Sequence, residues 1–402
     1  SALPPPPQRW DRFLAAEVPN ISSYEELKDL SSSEYVTHQH ALVREVIISP
    51  GYRDPETNVI SNTAWKRLVD GGLLAASFGD RDPATRQIEI MEIGRMLSFY
   101  DISLGLTYGI TTALAIMPIQ RFGSPEQQEK YLGMIRDGKR IGLAITERNQ
   151  SGSTLKMDSY YEKDNETTHI NFAKMWQGLT GNIEDMPALI VTAKDKDSKE
   201  EKPTIGIFII DQDDIHSVPL DMNVLDGIFY GDNTGDAIID TKMHLMKELT
   251  FLRLLEYRDL FTVSRFFFVG MTLGHQEMTD YEAQKHSDVF IGNTRQADME
   301  VPQIHLQNIR ARTVILDAIF RQTAAYRKEG NSLLNTNTIS YKTEAAIIKV
   351  LSAEYAYDSA DNRVTLGGAS SFVKNGAQQD ADNIRPFRTF EGAEDMLYSD
   401  IG

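Results

Sequence analysis

Hydrophobic residues recur at helical spacing along the first third of the chain. Between Tyr24 and Ile48 they fall every three or four positions, which places them on one face of a helix. The same period predicts further helices near 63–75, 84–99 and 102–121. We therefore expect an N-terminal helical domain over residues 21–139, preceded by a proline-rich extended arm over residues 1–20.

The last helix of this domain has signals at both ends. Ser124 is a typical N-cap residue, Pro125 suits the first helical position, and Gln127 can close a capping box. Gly138 follows Arg136 and suits the left-handed position that ends many helices. These signals predict a helix that ends just before the period of the pattern changes.

Short alternating or β-branched runs follow, as strands require. They are Ile141–Thr146, Leu155–Tyr161, Thr167–Phe172, Ala188–Ala193, Thr204–Ile210 and Gly235–Asp240. The polar segment Lys194–Lys202 between two of them reads as a hairpin loop. The pattern predicts a middle β domain over residues 140–242.

The helical period returns from about Met243. Long segments follow at Leu254–His286, Gln303–Glu329 and Ser340–Asn362, and such lengths can pack as a bundle. We expect a C-terminal helical bundle domain over residues 243–402. The predicted fold class is α+β multidomain, with helices, then strands, then helices.

Composition narrows the classes of function. The formal charge is −17, from 58 acidic and 41 basic residues, which argues against nucleic acid as a partner. The chain has no cysteine, so disulfides, thiolate catalysis and cysteine-bound metals are excluded. We expect no membrane span, because no apolar run approaches the length of about 20 residues that a span needs. Pro4–Pro7 would break a signal peptide. We expect a soluble protein, cytoplasmic or, in a eukaryote, in the mitochondrial matrix.

Several familiar sites are missing from the sequence. It contains no phosphate-binding glycine loop, no His-Glu-x-x-His pair and no nucleophile elbow. His38 and His40 should face opposite sides of a helix, which suggests surface residues and no metal site. Asp211, Asp213 and Asp214 follow a predicted strand and read as an exposed turn, because a calcium loop needs more ligands.

Two stretches could carry chemistry. Glu391, which precedes a glycine, follows an apolar run; a buried carboxylate there could act as a general base, although a solvated helix-terminal acid is the plainer interpretation. The second stretch is the helix-to-sheet junction, where Thr146-Glu147 runs into a loop ending in Gly152-Ser153 and Lys174-Met175-Trp176 follows.

In this order, these motifs resemble the acyl-CoA dehydrogenase family. The resemblance covers nearly all of the chain after the arm, and it includes the 122–132 helix and Leu366-Gly367-Gly368. It implies an N-terminal helical domain, a middle β-barrel-like domain and a C-terminal four-helix bundle. FAD would lie between the last two domains and reach a neighbouring subunit.

The resemblance also implies roles for individual residues. Glu391 matches the base that removes the α-proton of an acyl thioester. Three residues match substrate contacts: Ser153, Arg265 and Gly392. The residues that match cofactor contacts, or that stand nearest to them, are Leu143, Ile145, Thr146, Trp176, Thr180, Lys285, Gly367 and Gly368. No metal site is implied.

The sequence departs from the family at several of these positions. Gly178 stands where the family has a hydroxyl, for which Thr180 could substitute. The arginine that binds the FAD pyrophosphate is missing, and either Lys285 or Phe290 occupies its place. Val364 replaces a glutamine that contacts the neighbour's FAD.

The leading hypothesis is therefore FAD-dependent α,β-desaturation of an acyl thioester. The acyl group could be carried by CoA or by a carrier protein, and the acidic surface favours CoA. Electrons would pass to a flavoprotein or to oxygen, and the enzyme would form a homodimer or homotetramer. Two alternatives keep the fold: a non-catalytic, FAD-poor subunit of a hetero-oligomer, and a flavin monooxygenase.

Overall fold

The computed structural model describes residues 27, 30–79, 83–149, 156–182, 186–197, 204–246, 251–328 and 340–390. The side chains of residues 83, 84, 246, 251–260, 326–328 and 340–342 fall outside this description. The predicted N-terminal arm, the loop residue Ser153, and Glu391 with Gly392 also lie outside the described residues, so their assignments stay predictions.

The first part of the chain is helical, as the apolar period predicts. Its helices are α1 (Ser32–Ile48), α2 (Asn62–Asp70), α3 (Ala75–Phe78), α4 (Pro83–Tyr100) and α5 (Ile102–Phe122). Ser31 caps α1 with a capping box to Glu34. Trp65 of α2 is fully buried in the core that these helices share.

Helix α5 differs from an ordinary helix in two ways. It is π-helical over Ile110–Ile116, and it is α-helical on either side. Among the described residues it alone has the length and apolar composition to cross a membrane, with 78% of its most apolar stretch buried inside the protein. The expectation that no apolar run has this length was therefore wrong, but such burial is that of a core helix.

The predicted capping of the next helix is confirmed. The Ser124 hydroxyl accepts from the Gln127 N–H and the Gln127 side chain accepts from the Ser124 N–H, with Pro125 in the first turn. This helix, α6, runs over 125–136 and, like α5, has a π-helical middle. Gly138 then has φ +86°, the left-handed value that favours glycine.

The middle of the chain forms an eight-stranded sheet. Its strands are β1 (Gly142–Ala144), β2 (Tyr160–Asp164), β3 (Thr167–Gly178), β4 (Ala188–Asp195), β5 (Ile205–Asp211), β6 (Ile215–Pro219), β7 (Tyr230–Asp240) and β8 (His244–Met246). The order is β6-β7-β3-β2-β4-β5-β8, and β1 pairs in parallel with β4. Antiparallel pairing of β4 with β5 confirms the predicted hairpin.

Several predicted boundaries differ from the structure: β3 runs on to Gly178, β7 begins at Tyr230, and β6 was not predicted. β2 begins at Tyr160, later than the run that predicted it, because Asp158 and Ser159 give their N–H groups to Glu147. The helical period was expected from Met243, but β8 pairs with β5 and extends the sheet past residue 242. The next helix starts only at Phe251.

The last part contains three long helices and one shorter one. They are α7 (Phe251–His286), α8 (Glu300–Lys328), α9 (Ser340–Gly367) and α10 (Ala377–Ile384). A two-stranded hairpin, β9 (Phe290–Ile291) with β10 (Thr294–Arg295), joins α7 to α8. A 3₁₀ turn, Gly368–Phe372, follows α9. Helix α7 packs against α4, α8 and α9.

Candidate functional site

A buried ion pair organises the helix-to-sheet junction. Lys174 of β3 is fully buried, and its Nζ lies 2.7 Å from Oε1 of Glu147. The same ammonium donates to the Ile145 carbonyl at 3.1 Å and to the Thr192 hydroxyl at 3.3 Å. The Lys174 ammonium on β3 thus links the residues that follow β1 with β4.

Glu147 holds the start of the following segment in return. It accepts the backbone N–H groups of Asp158 at 2.5 Å and of Ser159 at 3.1 Å. Burial opposes ionisation of Glu147, but the hydrogen bond and charge of Lys174 outweigh it and hold the pKa of Glu147 below its ordinary value. Burial lowers the pKa of Lys174. The pair fixes both ends of the loop that contains Ser153.

Trp176 leaves the sheet at a β-bulge. The register between β3 and β7 shifts between Met175 and Gln177, so Trp176 has no partner in β7, and its φ is +70°. Its indole is 47% exposed, which is unusual for a large aromatic side chain. The bulge directs a flat apolar surface out of the sheet.

The residues after β1 lie beside this bulge. The N–H of Met175 donates to the Thr146 carbonyl at 2.9 Å, which brings Thr146 next to the residue before Trp176. Leu143 is buried, whereas Ile145 and Thr146 are half-buried. The structure therefore brings together Ile145, Thr146 and Trp176, three of the residues predicted to contact the cofactor.

Gly178 is explained by packing. A Cβ at Gly178 would lie 2.9 Å from Cδ1 of Ile110 in the π-helical part of α5, so a side chain at residue 178 would displace the end of Ile110. Thr180, the suggested substitute, is fully buried, and its hydroxyl donates to the Gln177 carbonyl and accepts from Nδ2 of Asn233. Both bonds are internal, which disfavours direct contact of Thr180 with a cofactor.

The remaining predicted cofactor residues lie at one end of the helical bundle. Lys285 is in the last turn of α7, where its exposed ammonium is 3.9 Å from Glu282. Phe290, the other match to the missing arginine, is 71% exposed in the β9–β10 hairpin. Gln296 donates to the Leu366 carbonyl at 2.9 Å, and this bond ties the hairpin to Gly367 and Gly368.

Gly368 has a backbone conformation that favours glycine. Its φ is +52°, and a Cβ built on it would contact nothing. It marks the change from α9 to the 3₁₀ turn. Val364 is buried one turn earlier, so its side chain packs in the core and offers no polar group.

Arg265 lies on α7 and is half-buried. The described residues contain no group of three or more His, Asp or Glu side chains placed to bind a metal. Asp213 and Asp214 are exposed in a turn, as expected.

One histidine prediction was wrong. His40 is buried, and its Nε2 lies 2.9 Å from the Tyr100 hydroxyl, while His38 is half-buried. Burial, and to a smaller extent the charge of Arg44, lowers the pKa of His40 to about 4. Helix α4 covers this side of α1, which the period of α1 alone could not show.

Comparisons with known proteins agree with this architecture. The family model of the acyl-CoA dehydrogenase N-terminal domain matches residues 37–139. Human mitochondrial very long-chain specific acyl-CoA dehydrogenase is 23% identical in a 380-residue alignment that covers 86% of this chain and 54% of that protein. Rice mitochondrial isovaleryl-CoA dehydrogenase is 35% identical over 111 residues, 27% of this chain and 26% of that protein.

Solved structures extend the similarity across the whole fold. Butyryl-CoA dehydrogenase from Megasphaera elsdenii superposes with a TM-score of 0.79 at 16% identity, over 93% of this chain and 98% of that one. The prolyl acyl carrier protein oxidase AnaB has a TM-score of 0.76 at 16% identity, over 92% and 97%. The family model and the curated relatives indicate the acyl-CoA dehydrogenase family, and the solved structures show its fold.

The acyl-CoA dehydrogenase fold accounts for the order of helices, sheet and helices described above. The chain spans about half the length of the very long-chain relatives it matches.

Proposed function

We propose that this protein desaturates an acyl thioester at Cα–Cβ with FAD as the hydride acceptor. The observation that carries the proposal is the surface at the junction. The exposed Trp176 indole stands beside half-buried Ile145 and Thr146, held there by the Met175–Thr146 backbone bond. A flat aromatic face and free polar groups suit an isoalloxazine ring.

The fit to FAD rests on these residues. Trp176 would cover one side of the ring, and the Thr146 hydroxyl and nearby backbone groups would meet its polar edge. The solved relatives include a glutaryl-CoA dehydrogenase in complex with FADH2 and PigA in complex with FAD. When bound, FAD would supply the acceptor for the β-hydrogen of the substrate.

Glu391 would remove the α-proton. Its carboxylate suits this task because exclusion of water by ligands raises the pKa of a carboxylate and makes it a stronger base. A backbone N–H next to it, such as that of Gly392, would stabilise the enolate oxygen as charge develops. Arg265, half-buried on α7, and Ser153 would contact the thioester.

CoA and carrier proteins both remain open as the carrier of the acyl group. The family's solved structures include the prolyl acyl carrier protein oxidase AnaB as well as proteins named for CoA thioesters. The charge of −17 favours CoA because carrier proteins are also acidic.

A non-catalytic, FAD-poor subunit is the second candidate. Lys285 or Phe290 replaces the arginine expected at the pyrophosphate, and the Thr180 hydroxyl is used internally. These features would weaken FAD binding, while the presence of Glu391 opposes this candidate.

The absorption spectrum of the purified protein distinguishes the two. The proposed enzyme should show flavin bands that an acyl-CoA of suitable chain length bleaches without oxygen. Glu391→Gln should retain the bands and lose the bleaching, whereas Glu394→Gln, a matched change three residues later, should bleach as the wild type does. A protein that binds no FAD even at high concentration would contradict the proposal and support the FAD-poor subunit.

A further inference from the structure

A pocket in the N-terminal helices lies apart from the junction. Its volume is about 300 Å³, which is at the lower end of small-molecule sites. None of the described residues assigned above to FAD or thioester lines it. The described lining residues come from the end of α3, from α4, α5 and α7, and are Ser77, Arg86, Gln87, Ile90, Thr112, Met117, Gln120, Arg121 and Phe267.

The pocket contains a guanidinium group that lacks a hydrogen-bond partner. Nη1 of Arg121 is buried, and no acceptor within the described chain reaches it. This guanidinium also lies over the ring of Phe122, 5.4 Å from its centroid. None of the described lining residues is acidic. A buried cationic donor without an acceptor is costly, so the pocket favours an anion.

The second arginine of the pocket is already engaged. Arg86 donates from Nε to the Ala76 carbonyl at 2.9 Å and from Nη2 to the Ser77 carbonyl at 2.6 Å. Gln120 also donates to the Ser77 carbonyl, at 3.0 Å. These bonds hold the wall of the pocket together and leave Arg121 as its anion-binding group.

Other polar groups converge on the same space. Oε1 of Gln87 is buried and has no partner in the described part of the chain. A glutamine amide can turn to present its NH₂ group instead, so Gln87 could donate to an anion. The hydroxyls of Ser77 and Thr112 lie 3.4 Å apart. Ile90, Met117 and Phe267 make the rest of the wall apolar.

We propose that this pocket binds a small aliphatic carboxylate, with its charge on Arg121 and its hydrocarbon part against Ile90, Met117 and Phe267. The proposal does not depend on the proposed dehydrogenase reaction. Two molecules carry this chemistry: a free short-chain acid, and an acyl thioester whose far end bears a carboxylate. Titrations with hexanoate and with acyl-CoA thioesters distinguish these two molecules.

Calorimetric titration of the purified protein, with whatever FAD it retains, tests the proposal. Hexanoate should bind, and hexanamide, its neutral match, should bind at least about tenfold more weakly because the hydrogen bond to a charged group is lost. Arg121→Gln should weaken hexanoate binding by a similar factor. Arg67→Gln, which changes an exposed arginine paired with Glu45, should leave binding unchanged.

A second variant tests the pocket independently, in case Arg121→Gln fails to fold. Met117→Trp narrows the pocket without touching its charge and should also weaken hexanoate binding. If hexanoate does not bind but Arg121→Gln weakens adipoyl-CoA and not hexanoyl-CoA, the carboxylate is that of a thioester. If neither hexanoate nor adipoyl-CoA depends on Arg121, or if hexanamide binds as well as hexanoate, the proposal is wrong.

Discussion

The Lys174–Glu147 pair shows how single residues hold the candidate site. Lys174 is fully buried and Glu147 nearly so, and each charge is satisfied by the other and by backbone groups. An ion pair of this kind adds little net stability compared with apolar residues, but losing one partner leaves an isolated buried charge. The pair therefore acts mainly by fixing where the loop and strands meet.

Lys174→Met should lower the free energy of unfolding by about 3–5 kcal/mol, because Glu147 is left buried without a counter-charge. Denaturant unfolding measures this loss. Lys66→Met is the control: its exposed pair with Asp70 should contribute about 1 kcal/mol or less. Adding Glu147→Gln to Lys174→Met should recover part of the loss. Equal small losses for both lysines would show that the pair is not a structural link.

His275 should make the protein sensitive to acid. It is fully buried in α7, and burial, with the nearby charge of Arg363, lowers its pKa to about 3. Between pH 6.5 and about pH 3 the unfolded chain binds a proton that the folded chain does not, so stability is lost as pH falls, by up to about 1.4 kcal/mol per unit.

His275→Gln removes this group and should flatten the fall in stability over that range. The measurement is the free energy of unfolding at several pH values between 4 and 7. His216, exposed on β6, supplies the control, and His216→Gln should keep the wild-type slope. An unchanged slope in His275→Gln would mean that other groups cause the loss.

The sequence identified these residues by motif, but it did not predict the contacts that they make. Thr146, Glu147, Lys174 and Trp176 were all found by motif, but the ion pair joins positions that only strand pairing brings together. The exposure of Trp176 depends on a bulge, which the alternation of β3 does not reveal. His40 was placed at the surface because the residues that cover α1 lie on another helix.

Among the larger elements, glycines set how closely two helices approach. Helix α7 crosses α4 where Gly274 and Gly270 have no room for a side chain. A Cβ at Gly274 would lie 2.0 Å from the Arg95 carbonyl oxygen, and one at Gly270 would lie 2.5 Å from that of Met91. The joining of N-terminal and C-terminal helices depends on this contact.

Gly274→Ala should lower the free energy of unfolding by about 1–3 kcal/mol, because backbone must move to admit the methyl group. Gly133→Ala is the matched control, in helix Gly133–Arg136 with nothing within 4 Å of the new Cβ. Because alanine has a higher helix propensity than glycine, Gly133→Ala should raise the free energy of unfolding by up to about 1 kcal/mol. Thermal or denaturant unfolding compares the two. A stabilising Gly274→Ala would contradict the close crossing.

Helices with clear caps were predicted best, and short strands least well. Ser124, Gln127 and Gly138 act as expected because capping is a local interaction. β8 was missed because a three-residue strand has too little periodicity of its own and depends on pairing with β5. The π-helical segment of α5 was missed for a similar reason: its packing, in which Ile110 lies against Gly178, is a tertiary effect.

In the whole molecule, the predicted cofactor residues fall into two groups. Ile145, Thr146 and Trp176 lie at the sheet, whereas Lys285, Gly367 and Gly368 lie at an end of the bundle tied together by Gln296 and Leu366. The family resemblance predicted this division, because FAD would reach a neighbouring subunit. The motifs give the residues of both groups, but one chain cannot show how two chains would join them.

Exposed apolar residues at that end of the bundle support assembly there. Phe290 is 71% exposed, and Val289, Ile291, Phe372 and Val373 are exposed as well. Apolar residues grouped in this way mark interaction surfaces more often than single ones do. We expect a homodimer or homotetramer that uses this surface.

Phe290→Asp should therefore lower the mass measured by light scattering after size exclusion, since a charge in an apolar interface must lose its water. If FAD is shared between subunits, the flavin absorbance per chain should fall together with the measured mass. Ile238→Asp is the control, because Ile238 is 69% exposed on β7, away from this surface, and its mass and flavin content should not change. A wild-type protein that is monomeric at micromolar concentration would contradict the shared site, and FAD binding would then depend on the junction residues of one chain.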